Sequence, residues 1–186
     1  MRDADDRFLA DPSQRLNAAF RAVAPRMQGL PFVNPALGVE AVGFTPWRGC
    51  WLGVLVTPWF MNLVLLPRER AHWQTLSVGA KRKLRFPAGV YEFIGADVPD
   101  IGEHQTCSLF SPMQAFDDHA AACQVARLAL DALFDPANAE VTETAPAEMP
   151  SPDHSALPGG NPGTAIVSKR DFLRGRFVGS SDEHRR

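Results

Sequence analysis

The sequence predicts an α+β fold: a mixed or antiparallel sheet of about five to six strands with helices at both ends. Three observations carry that reading. Apolar residues recur at helical spacing after residue 12 and again after residue 118. Short runs of strand length, either wholly apolar or alternating, fill the region between them. Turn-forming residues (Arg48-Gly49, Pro67, Pro87-Ala-Gly89) divide those runs.

The first helix starts at Asp11, whose side chain suits the free N–H groups of a first turn, followed by Pro12 and by Gln14. Leu16, Phe20, Val23 and Met27 share one face. Pro25 either ends the helix near Ala24 or kinks its last turn, and Gly29 is a suitable stop. Val39 to Phe44 and Cys50 to Thr57 read as a hairpin closed by Arg48-Gly49, and Met61 to Leu66 as a third strand. Strands so continuously apolar require cover on both faces, or one face kept for a partner. Arg68 to Leu76 suits a short helix containing Trp73. Lys81 to Phe86 alternates basic and apolar residues, as an edge strand does. Val90–Ala96 and Glu103–Phe110 follow as strands. Ser111-Pro-Met-Gln114 fits a capping box, with Asp117 or Asp118 continuing or restarting the helix. Cys123, Ala126, Leu130, Leu133 and Phe134 form its apolar stripe, and Asp135-Pro136 ends it. The predicted order is α-β-β-β-α-β-β-β-α.

Residues 1–135 carry nearly all the large apolar side chains and suit one domain. Residues 136–167 hold six prolines, four acidic residues and no Lys or Arg, which predicts a disordered linker. Residues 168–186 form a basic tail, with six basic residues against three acidic. Within it, Ser168-Lys-Arg-Asp-Phe-Leu-Arg174 is similar to a twin-arginine motif, at a place where no apolar export segment follows. The net charge of −2 and pI near 6.2 argue against nucleic acid as the main partner. No apolar run approaches the roughly 18 residues that span a bilayer, so no stable membrane insertion is expected. The acidic start, Met1 to Arg7, has no signal-peptide pattern, which places the protein in the cytoplasm.

Chemistry is sparse. His104, Cys107, His119 and Cys123 have the right atoms for a soft metal. His119 and Cys123 would share a helix face, but His104 and Cys107 sit three apart on a strand and point to opposite faces. The expectation is no metal and no cofactor. Cys50 opens an apolar strand, where burial is the commoner fate, and no phosphate loop, dinucleotide fingerprint or H-E-x-x-H is present. The sequence therefore predicts no enzyme. Apolar residues clustered at strand ends stand out instead: Trp59, Phe60 and Met61 after Pro58, then Phe110 and Met113. Consecutive strand residues face opposite sides, so at least one of Trp59, Phe60 and Met61 is expected to face outward and bind a partner.

Those segments carry a resemblance. Asn34-Pro-Ala-Leu-Gly-Val-Glu-Ala-Val-Gly-Phe44 and Trp51-Leu-Gly-Val-Leu-Val-Thr-Pro-Trp-Phe-Met-Asn-Leu63 resemble the HybE/HupJ hydrogenase accessory proteins. Phe86-Pro-Ala-Gly89, Tyr91-Glu-Phe93, Cys107-Ser-Leu-Phe-Ser-Pro-Met113 and Asp118-His-Ala-Ala121 continue the similarity, which covers about residues 10–135. Some members of that family carry a rubredoxin, and no C-x-x-C pair here fits one. The resemblance implies a chaperone in [NiFe] uptake hydrogenase maturation, with the small subunit precursor, before twin-arginine export, as its partner. The large subunit and other accessory proteins are further partners it allows. It also implies a fold similar to type III secretion chaperones, and it supplies no catalytic residues. The rival expectation is a metal or thiol carrier in the same pathway, using Cys107, Cys123, His104 and His119.

Overall fold

The computed structural model describes residues 9–139, and the residues expected to form the linker and basic tail lie outside them, apart from a short 3-10 turn at Pro136–Asn138. Helix α1 spans Ser13–Met27. Six strands follow: β1 Glu40–Trp47, β2 Cys50–Val56, β3 Met61–Pro67, β4 Lys81–Phe86, β5 Gly89–Val98 and β6 Gly102–Phe110. Helix α2, His119–Phe134, closes the fold. The six strands form one sheet in the order β1-β2-β3-β6-β5-β4, every neighbouring pair antiparallel.

Strands β2 and β3 are apolar apart from Asn62 because both of their faces are covered. Leu52, Val54 and Val56 of β2 join Met61, Leu63 and Leu65 of β3 in a core with Ala122, Cys123, Ala126, Leu130 and Leu133 of α2. The alternate residues, Trp51, Leu55, Val64 and Leu66, pack with Leu16 and Ala19 of α1 on the opposite face. Each buried Leu or Val contributes roughly 1.5–3 kcal/mol of transfer free energy. Every residue of β2 and β3 is buried except Asn62, which is half-buried.

The β1–β2 hairpin turns at Arg48 (φ 48°) and Gly49 (φ 77°), two successive left-handed residues that match the twist of the paired strands. A bulge interrupts β1 between Val42 and Thr45, where Gly43 takes φ 64° and Leu130 packs against it. Gly53 faces the ring of Phe44, which occupies the space a Cβ would need.

Three local expectations are corrected. Arg68–Leu76 forms only a 3-10 turn at Arg70–His72, because the rest is pulled across the sheet. Gln105 Nε2 donates to the Gln74 carbonyl (2.8 Å), Glu103 accepts from the Leu76 N–H (2.9 Å), and Gly79 bonds to Gly95 (2.8 Å). Helix α2 starts at His119 rather than near Pro112, with Asp118 accepting from the Ala121 N–H (2.8 Å) as its cap. The carbonyls of Met113 and Phe116 point instead at Asn34. Phe134 lies off the buried stripe, 39% exposed, with its ring 6.0 Å from that of Phe86. At the other end, α1 continues through Pro25 to Met27.

Candidate docking groove and a Glu–His–Cys cluster

Three of the segments that carry the family resemblance meet at Asn34. Its backbone N–H donates to the Pro58 carbonyl (2.8 Å). Its side-chain amide donates to the carbonyls of Met113 (3.1 Å) and Phe116 (2.8 Å), while Oδ1 accepts from the Ala36 N–H (3.0 Å). One buried amide thus fixes the 34–39 loop, the β2–β3 turn and the approach to α2. Thr57 fixes the second of these. Its hydroxyl oxygen accepts from the N–H groups of Trp59 (3.3 Å) and Phe60 (2.9 Å), and its own N–H donates to the Phe60 carbonyl (2.9 Å).

That turn forms one wall of a groove of about 670 Å³. The end of α1 (Arg21, Ala24) and the loop after it (Leu30, Val33, Leu37) complete the lining, with Trp59 opposite. Arg21 supplies the one charged side chain among the lining residues. Leu30, in the groove, and Phe32 on the same loop are 39% and 41% exposed.

The five side chains expected at a partner surface fall into different places. Trp59 is nearly buried but lines the groove. Phe60 is the half-buried member of its trio, its ring edge-on to Phe20 of α1 (5.8 Å). Met61 and Met113 are wholly within the core under α2, and Phe110 stands beside Phe116 at its edge (5.1 Å). Strand alternation sends Met61 inward, and the Asn34 bonds pull the Met113 segment down onto the sheet.

The four residues of the metal-carrier reading do not converge. His104 and Cys107 lie three apart on β6, where alternation turns them to opposite faces, and neither joins His119 and Cys123 of α2 within ligand distance. His104 is buried, and its Nδ1 lies 2.8 Å from the Gly102 carbonyl. Burial lowers its pKa. Burial, followed by the charge of Glu92, pushes the Cys107 thiol up to about 11. Cys50 is buried and its thiol is also raised, chiefly by desolvation.

His119 and Cys123 do come together, and Glu40 joins them. His119 Nε2 lies 3.1 Å from Glu40 Oε2 and 3.6 Å from Cys123 Sγ. The Gly38 N–H donates to His119 Nδ1 (3.2 Å), which places the ring proton on Nε2. Arg127 sits 3.7 Å from the other carboxylate oxygen. A Cys–His–acid relay needs the thiol and the acid on different ring nitrogens. Here both face Nε2, and burial with the nearby Glu40 carboxylate pushes the Cys123 thiol up to about 12. The arrangement holds a thiol proton rather than removing it, so it is not built as a nucleophile. Glu40 escaped the sequence reading because a carboxylate on a strand carries no motif of its own. Its position two residues after Gly38, opposite a helix start, shows its role only once β1 and α2 are packed.

Comparison with known proteins agrees with this architecture. The solution structure of HybE from Escherichia coli superposes with a TM-score of 0.57 at 24% identity, covering 80% of this chain and 93% of that one, a likeness of fold. The hydrogenase expression/formation protein HupJ of Bradyrhizobium diazoefficiens is 41% identical over 164 residues, 88% of this chain and 87% of that protein. A probable rubredoxin HupJ of Rhodobacter capsulatus is 42% identical over 131 residues, 70% of this chain but 47% of that protein. The family model described as [NiFe]-hydrogenase assembly, chaperone, HybE matches residues 11–175, past the end of the described residues and well beyond residue 135. With that span matched, the chain belongs to the HybE family of [NiFe]-hydrogenase assembly chaperones.

Proposed function

We propose that this protein acts by binding rather than catalysis, shielding the small subunit precursor of a [NiFe] uptake hydrogenase in the cytoplasm before twin-arginine export. Membership of the assembly-chaperone family supports the pathway. The groove beside Trp59 is the observation that carries the reading further, because an apolar cleft with exposed Leu30 and Phe32 at its side suits an extended apolar client segment. Phe60 packs edge-on against Trp59, while Phe110 and Met113 are buried and Ser111 and Pro112 between them are exposed.

The test measures binding of purified small subunit precursor, with and without its signal peptide, to wild type and to Leu30→Glu. Leu30 is exposed, so the variant should keep its melting temperature while a buried charge in the interface weakens binding by about thirtyfold, roughly 2 kcal/mol. A folded Leu30→Glu protein that binds the precursor normally would sink the groove assignment. Trp59→Ala is the less discriminating variant, since Trp59 also packs and its truncation lowers stability as well.

A further inference from the structure

The geometry points to Glu40, His119 and Cys123 as a site for a thiophilic divalent cation of the zinc type, bound at the expense of the hydrogen bond that ties Gly38 to His119. Carboxylate, imidazole and thiolate are the three side-chain ligand types such an ion takes. Their donor atoms all lie within 4.8 Å of one another. A tetrahedral ion with ordinary zinc bond lengths holds its ligand atoms roughly 3.3–3.8 Å apart. The Nε2–Oε2 and Sγ–Nε2 separations of 3.1 and 3.6 Å need little adjustment to reach that. Three protein ligands leave a fourth position open, and the side chains of His119 (32% exposed) and Glu40 (38%) give an ion access from solvent. Arg127 engages Glu40 Oε1 and leaves Oε2 as the ligand.

Loading this site must disturb Gly38. The metal–sulfur bond forms as the Cys123 thiol gives up its proton to solvent. An imidazole that ligates through Nε2 carries its proton on Nδ1. His119 therefore changes tautomer, and one proton is released per ion with no change in oxidation state. A protonated Nδ1 no longer accepts from the Gly38 N–H, so cation and loop compete for the same ring. Gly38 stands between Leu37 and Val39, and all three line the groove, so an ion at Glu40–His119–Cys123 releases that wall. Only this last consequence rests on the docking reading; the site does not.

The experiment adds cobalt(II) to the full chain, with no client present, and follows the thiolate-to-cobalt charge-transfer band in the near ultraviolet. The expected result is one ion per chain, displaced by zinc, with the band kept in Cys107→Ser and lost in Cys123→Ser. Glu40→Gln should weaken binding by about tenfold or more, since loss of a ligand costs no less than loss of a supporting group. Absence of the band, or a band that survives Cys123→Ser, overturns the site. Zinc should also shift the Gly38 amide resonance, and a loaded protein with that resonance unmoved overturns the exchange with the loop.

Discussion

Asn34 concentrates more of the site's geometry than any aromatic side chain near it. Two carbonyls, from Met113 and Phe116, accept from its amide, and that of Met113 also accepts from the Phe116 N–H (3.2 Å). Replacing Asn34 with Ala removes the donor to the Phe116 carbonyl and one of the two donors to that of Met113, next to a buried core, so a loss of about 1–3 kcal/mol is expected in chemical unfolding. Asn34→Asp should do no better, because a carboxylate presents acceptors to acceptors; a variant as stable as wild type would contradict the role given to the amide. The buried thiols make a second prediction with a definite sign. Folding raises Cys107 to about 11 and Cys123 to about 12 from 9.0. A group whose folded pKa is raised contributes its full stabilisation below the unfolded value and loses it as pH rises through the folded one. Thermal stability should therefore fall as pH climbs above 9, and Cys123→Ala should fall less steeply over the same range. Parallel pH profiles for the two proteins would contradict this.

The strands and helices were legible wherever local pattern and tertiary demand agree. The Arg48-Gly49 hairpin, the edge position of β4 and the apolar stripe of α2 follow from residues close together in the chain. The misread elements are those where a distant partner overrides the local signal. Ser111-Pro-Met-Gln114 has the composition of a helix start, yet Asn34, about eighty residues away, holds the carbonyls that would continue the helix. Arg68–Leu76 is likewise claimed by Glu103 and Gln105 of β6. At the candidate site the sequence supplied Trp59 and the His119–Cys123 pair, but not Glu40, Thr57 or Asn34, whose roles exist only after three segments meet. Because α2 begins at Asp118, its start can be tested directly. Asp118→Ala should cost about 1 kcal/mol, whereas Ser111→Ala should leave helix stability unchanged. The reverse order of effects would restore the earlier start.

At the scale of the whole molecule, both core clusters are built from residues between Leu16 and Leu133, on the two faces of one sheet. The short 3-10 turn that follows still serves α2: Asp135 accepts from the Ala137 N–H (2.8 Å) and Asn138 donates to the Ala132 carbonyl (3.3 Å). A cut after Ala139 therefore respects the packing better than one after Asp135, and should leave the melting temperature within about 2 °C of the full chain, well inside the shift that 1 kcal/mol produces. The same truncation examines the basic tail. Ser168 to Arg174 is similar in sequence to the paired-basic signal of exported precursors, and it is carried on the chain that forms the groove. A tethered segment competes at an effective concentration of about a millimolar, enough to fill a weak site much of the time. If the tail occupies the site that the client's signal uses, removing residues 140–186 should tighten precursor binding severalfold, with the signal peptide present and not without it. Removing residues 168–186 alone should give the same gain. Unchanged affinity in both truncations would leave the tail without a competing role, and a large fall in melting temperature would show that it packs on the body.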